Sequence, residues 1–346
     1  MVDKRYCMSS FLMLRTIFDR NKSFSEKIKP HFFEMNADRN PVKNSTELEN
    51  ELKKQVEAAC KNGKAALALS GGIDSAILAK FMPKNSMTYT FKSIVPGIDV
   101  IDESPMAKKY AEECGLNNKT IEIYWEDYEK YAPILMAHKG APIHSIEVQI
   151  YKASLEMKKD GFDTVIFGES ADANFGGLDG LLSKNWTVPQ FIDRFSNVMP
   201  YKAVKDSEII EKPFEMYSKD GYIEPHDFIR NIFYVESMGS YEFATSAAGI
   251  NLSAPYSKTF MGVPIDYNRI RSGEGKYLVR EVFKKYYPNY GIPPKTPMPR
   301  PMDEWLKDWK GPIREEFWPH CTDEMTGDQK WLVWSLERFL NLIDEL

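Results

Sequence analysis

Ser70-Gly71-Gly72-Ile73-Asp74-Ser75 is the stretch of this 346-residue chain best suited to chemistry. Two adjacent glycines let the backbone turn sharply and let its N–H groups come close to an oxyanion. Ser70 and Ser75 offer hydroxyl donors to phosphate oxygens. Asp74 is the unexpected member, because a carboxylate repels a phosphate. It makes sense where a divalent cation such as Mg2+ lies between the two. The plain structural alternative is a Gly-Gly turn with an aspartate helix cap. A strand before the turn and a helix after it argue against that. The Gly-x-x-x-x-Gly-Lys pattern of the common phosphate loop is absent. Two further stretches carry charge beside glycine: Phe167-Gly168-Glu169-Ser170-Ala171-Asp172-Ala173-Asn174-Phe175-Gly176-Gly177, and Gly273-Glu274-Gly275-Lys276-Tyr277-Leu278-Val279-Arg280.

The elements around these stretches alternate. Ser45-Thr46-Glu47 reads as a helix start, and Leu48, Leu52, Val56 and Ala59 recur at helical spacing until Gly63 stops the run. Residues 65–69 are short and apolar on both faces, as a strand inside a parallel sheet requires. Residues 76–81 then read as helix, 87–95 as a second strand and 107–114 as a helix ended by Gly115. Residues 119–123 read as a third strand, 146–158 as a helix and 164–167 as a fourth strand. This rhythm predicts an α/β fold with a doubly wound, mostly parallel sheet, its core spanning about 46–185. Apolar spacing beyond that is mostly helical, which predicts a helical C-terminal part over about 186–346. Residues 1–45 read as an N-terminal extension, with a loop over Asn36–Pro41.

The Ser70 hexapeptide resembles the pyrophosphate-binding loop of the ATP pyrophosphatases, which split ATP between its α and β phosphates. The stretch from Phe167 resembles the Gly-Glu-Gly-Ala-Asp-Glu-Leu-Phe-Gly-Gly signature of asparagine synthetases, whose relatives include β-lactam synthetase and lasso-peptide cyclases. Residues 273–280 resemble that family's Lys-x-x-Leu-Arg helix, and Pro293–Trp305 its late Pro- and Trp-containing tail. The resemblance covers about residues 46–310. It implies an adenine nucleotide alpha hydrolase fold and an AMP-forming, ATP- and Mg2+-dependent carbon–nitrogen ligase. Asp74 and Asp172 would hold the metal. Ser70, Gly71, Gly72, Asp74 and Ser75, with Gly168 and Glu169, would bind the nucleotide phosphates. Backbone groups around Phe91 and Ser93 would read the adenine edge. Lys276 would stabilise the acyl-adenylate and the charge that builds during acyl transfer.

The chain departs from the family in three places. Asparagine synthetases carry a glutaminase domain whose nucleophile is a cysteine just after the initiator Met. Here Val2 follows Met1, and the stretch before Ser70 is too short for a domain of ~200 residues. The nitrogen is therefore expected from free ammonia, a separate glutaminase, or an amine on the substrate. His138 falls where the family has a glutamate, so it is a candidate general base. Gly249–Lys258 keeps Pro255 and Tyr256 but lacks the arginine and aspartate usual there, which argues against aspartate as the carboxylate. Net charge is −5, so no global basic field favours nucleic acid. Four scattered cysteines suggest free thiols and a cytoplasmic setting, and no long apolar run suggests a membrane span. The alternatives are a non-catalytic nucleotide-binding partner subunit and an RNA-thiolating relative. The latter needs a reactive cysteine near the loop.

Overall fold

A computed structural model describes residues 1–35 and 38–346, so the first two residues of the loop expected over Asn36–Pro41 lie outside the described residues. Five parallel strands form the central sheet: β1 (Ala65–Ala68), β2 (Met87–Ser93), β3 (Asn117–Ile123), β4 (Thr164–Ile166) and β5 (Asn251–Ser253). Their spatial order is β3-β2-β1-β4-β5. The chain runs outward from β1 through β2 to β3, then returns to the other side of β1. The switch point between β1 and β4 is where open sheets of this kind bind ligands, outside the carboxyl ends of the strands.

The sheet separates two apolar layers, which explains why β1 is apolar on both faces. Ala66 and Ala68 face one layer with Val165 and Phe167, while Ala65, Leu67 and Leu69 face the other with Ile166. The second layer is built from α2 (Ser45–Cys60), α3 (Ile73–Ala79) and α4 (Ser104–Cys114). Helix α2 begins one residue earlier than its sequence suggests: Asn44, not Ser45, caps it by accepting from the Glu47 N–H at 2.9 Å.

Several elements were not legible, among them a short parallel pairing of Asn40–Val42 with Thr259–Met261. Helix α1 (Lys4–Leu14) is capped by Asp3, and its residues Cys7 to Leu14 are all buried, so it shows no amphipathic period. Four of its residues join the main core beside the C-terminal helix (Gly327–Glu345). Residues 1–45 thus supply core as well as chain length. Helix α5 (Trp125–Lys139) occupies a stretch between the third predicted strand and the next predicted helix that shows no apolar period, and is followed by α6 (Ser145–Lys159). Strand β5 lies in the part expected to be helical; it is three residues long and owes its form to pairing with β4.

Among the described residues, no helix is long and apolar enough to cross a membrane.

Candidate active site

The loop after β1 is held from within. Ser70 N–H donates to Ser75 Oγ at 3.0 Å, Gly72 N–H donates to Ser70 Oγ at 3.1 Å, and the two hydroxyl oxygens are 3.0 Å apart. Both serines therefore shape the cradle as well as lining it. Tyr256, retained from the family pattern, donates its hydroxyl to the Asp74 carbonyl at 3.2 Å, and Asn174 Nδ2 donates to the Tyr256 carbonyl at 2.9 Å. The loops after β1 and β4 are thereby tied together.

The chain leaving β4 packs directly on this loop. A Cβ at Gly168 would lie 3.0 Å from Ser75 N and 3.2 Å from the Asp74 carbonyl carbon, so any larger residue would push the two loops apart by a few tenths of an ångström. Ser170 takes a left-handed conformation (φ 76°) and starts the short helix α7 (Ala171–Phe175), which carries Asp172. Lys276, also left-handed (φ 54°), caps a helix over Tyr277–Tyr286. Its ammonium lies 2.7 Å from Asp74 Oδ2 and 2.9 Å from Asp172 Oδ1.

A second cation completes the array. Lys295 Nζ is 3.1 Å from Asp172 Oδ2 and donates to the Gly177 carbonyl at 2.7 Å. Desolvation works against ionisation of both aspartates. It pushes the Asp74 carboxyl up, whereas at Asp172 the two lysines outweigh it and hold the carboxyl below its ordinary value. Lys276, facing both carboxylates, stays protonated well above the usual lysine range despite its own desolvation.

These groups face a cavity of about 460 Å³, within the range of small-molecule sites. Phe91, Gly168 and Glu169 line it together with the whole Ser70–Ser75 loop, Asp172 and Lys276. Ser93 does not. It is buried, accepts from Gln149 Nε2 at 3.3 Å, and donates to the Pro299 carbonyl at 3.1 Å, fixing the proline-rich segment that forms another wall. His138 is also absent from the lining. It ends α5 hydrogen-bonded to Ser246 at 2.9 Å. Ser246 belongs to α8 (Tyr234–Ala248), just before β5 begins, which is the sheet edge opposite the strands' carboxyl ends. The reading of His138 as the base is corrected accordingly.

Three lining residues went unrecognised as site residues. Lys295 lay within a tail already singled out, but a lysine among prolines carries no periodic signal. Glu103 closes the cavity over Gly71, whose N–H faces its carboxyl; burial pushes that carboxyl up to about 7. Tyr241, from α8, lies against Glu169, and burial and this carboxylate raise its hydroxyl well above the ordinary value. Glu169 accepts from Ser237 Oγ at 2.9 Å, and desolvation raises its carboxyl.

The metal expectation can be tested on the donors. Asp74 Oδ1 is buried and accepts no hydrogen bond, an oxygen left over for a ligand. Among the described residues, no group of three or more carboxylate, histidine or cysteine side chains could hold an ion. Two hard carboxylates fit Mg2+, which is commonly bound by one or two carboxylates and completed by substrate phosphates and water.

A doubly wound α/β sheet with a glycine cradle at its switch point, flanked by paired aspartates and lysines, defines a nucleotide-phosphate-binding protein. The chain belongs to the asparagine synthase family, whose profile matches residues 47–224. No curated protein sequence gives a match. Among solved structures, the chain is similar to an NH3-dependent NAD synthetase from Campylobacter jejuni, at 16% identity and a TM-score of 0.27, over 38% of this chain and 60% of that one. It is also similar to an NMN synthetase from Francisella tularensis, at 14% identity and a TM-score of 0.29, over 74% of this chain and 99% of that one. A U34-tRNA thiolase from Methanococcus maripaludis matches at 15% identity and a TM-score of 0.26, over 72% and 82%.

Proposed function

We propose that this protein is an ATP-dependent amide synthetase that forms AMP and pyrophosphate. The observation carrying this reading is the Asp74–Lys276–Asp172 array beside the glycine cradle. In the first step a carboxylate oxygen of a small-molecule substrate attacks the α-phosphorus, and the bond to the β-phosphate oxygen breaks. Pyrophosphate departs into the Ser70–Ser75 loop, whose N–H groups receive its oxygens. In the second step a nitrogen nucleophile, ammonia or a substrate amine, attacks the acyl carbon. AMP leaves and the nitrogen loses a proton.

Asp74 and Asp172 would hold Mg2+, which offsets the negative charge of the phosphates when bound. Lys276 and Lys295 add fixed positive charge where negative charge builds on the phosphoryl oxygens and then on the acyl oxygen. Glu169, not His138, is the candidate general base. It lines the cavity with Tyr241, its carboxyl is raised, and no described residue forms an ion pair with it. Those properties suit a group that receives a proton from an incoming amine.

The test is to incubate the protein with ATP, Mg2+, ammonia and a panel of carboxylates, and to measure pyrophosphate, AMP and amide. Equal amounts of all three, lost in Asp74→Asn while the fold persists, are expected. Release of ADP and phosphate instead, or nucleotide binding without turnover on any acid, would end the proposal. The latter outcome would favour a nucleotide-binding partner subunit.

A further inference from the structure

We propose that Lys276 is a resident cation that closes the aspartate pair until nucleotide arrives, so that a divalent ion enters together with nucleotide and not before it. This inference rests on the synthetase reading above and concerns the order in which its site is filled.

The lysine ammonium occupies the position between the two carboxylates, 2.7 Å from one and 2.9 Å from the other. That is where a shared divalent ion would lie. The placement is built in. Lys276 holds a left-handed backbone conformation, which a non-glycine residue adopts only when its surroundings compensate. Its backbone N–H donates to the Gly176 carbonyl at 3.2 Å. Its aliphatic stem runs over Gly177: a Cβ there would come within 2.6 Å of Lys276 Cγ and Cδ. The side chain is therefore led across a gap that glycine leaves open and delivered to the two aspartates. Only 12% of it is exposed.

Charge explains the ordering. Asp74, Asp172, Lys276 and Lys295 sum to zero, so the pair of carboxylates is already neutralised. A bare divalent ion would have to displace a paired, mostly buried ammonium, which would then need a new anion inside the cavity. Leaving a largely buried charge unpaired is costly. A triphosphate is such an anion: its oxygens can take over Lys276 as the aspartates take the metal. Asp74 Oδ1, buried and without a hydrogen bond, is an oxygen left for that exchange, and Asp172 Oδ1, also without a hydrogen bond, meets only the Lys276 ammonium.

Mn2+ is a suitable probe, because free Mn2+ is read directly by electron paramagnetic resonance. In the wild-type protein, Mn2+ alone is expected to bind at least about tenfold more weakly than Mn2+ with a non-hydrolysable ATP analogue. In Lys276→Met, Mn2+ alone should bind at least about tenfold more tightly than it does to wild type, and should raise the melting temperature. Adding Asp74→Asn to that variant should remove both effects. Should Lys276→Met fail to fold, Lys276→Gln, which keeps a polar chain of similar course, answers the same question. Unchanged Mn2+ affinity in the folded variant, with wild type still binding Mn2+ and nucleotide together, overturns the resident-cation role alone. A wild-type protein that takes no Mn2+ even with nucleotide would instead remove the synthetase reading.

Discussion

The Arg15 guanidinium, on the left-handed residue that ends α1, lies 2.8 Å from the Glu236 carboxylate of α8. Glu236 is 4% exposed and Arg15 17%, so this is a largely desolvated pair. His144 sits with them, its Nε2 3.1 Å from Arg15. Removing one partner leaves the other buried and unpaired, which costs about 3–5 kcal/mol. Arg15→Met is therefore expected to lower stability by about that much in urea titrations. Combining it with Glu236→Gln should recover part of the loss. Losses that simply add would show that the two do not interact, leaving α1 held by its apolar contacts and by hydrogen bonds such as that from Asn197 N–H to the Met13 carbonyl at 3.1 Å.

Gly177 reports on the site without carrying chemistry. A Cβ on it would collide with Asp172 Oδ1 and with the stem of Lys276. Its φ is not among the positive ones, so alanine brings a steric problem and no backbone strain. Gly177→Ala is expected to fold with a lowered melting temperature, since Asp172 and the Lys276 stem must shift, and to lose at least about tenfold in pyrophosphate release, since small misplacements of catalytic groups are expensive. Full turnover in that variant would show that the Lys276 stem need not pass this point.

The parts of the fold legible in the sequence are those where local pattern and tertiary role agree. Residues 65–69 are apolar on both faces because β1 is covered on both, and the Ser70 loop follows because the switch point lies there. Lys276 could be placed at a helix start from its motif. Helix α1 was hidden by burial on all sides, and β5 by its length of three residues. His138 matches the family's glutamate only in sequence position: it lies in the last turn of α5, bonded to Ser246 near the far edge of the sheet. Glu103 and Tyr241 reach the cavity from α4's cap and from α8, and no local spacing announces such convergence.

Lys295 distinguishes a catalytic from a structural ion pair. Its side chain is 43% exposed, so its pairing with Asp172 contributes roughly 0–1 kcal/mol to stability. In the proposed reaction, its position beside the aspartate pair would let it offset charge in the transition state. Lys295→Ala is expected to unfold at nearly the wild-type denaturant concentration while kcat falls about 10²–10³-fold. Lys295→Arg should restore part of the rate, since charge is retained and geometry is not. Turnover of Lys295→Ala within about threefold of wild type would leave the lysine as a counterion only.

Glu103 gives the site a pH dependence whose sign can be worked out. Burial raises its carboxyl to about 7, the Gly71 N–H pulls the other way, and Asp102 adds to the rise. The protonated form is thus favoured in the folded protein. That contribution to stability is complete below the ordinary value of 4.5 and is lost as the pH rises through about 7. Nucleotide binding follows the same direction, because the ionised carboxylate competes with phosphate oxygens for the Gly71 N–H and repels them. Affinity for a non-hydrolysable ATP analogue is expected to fall between about pH 6 and pH 8. Glu103→Gln should remove most of that fall and bind more tightly at the alkaline end. The nucleotide's own terminal phosphate titrates in the same interval, so the informative quantity is the difference between the two proteins' profiles. Parallel profiles would assign the whole slope to the nucleotide and leave Glu103 as a wall of the cavity.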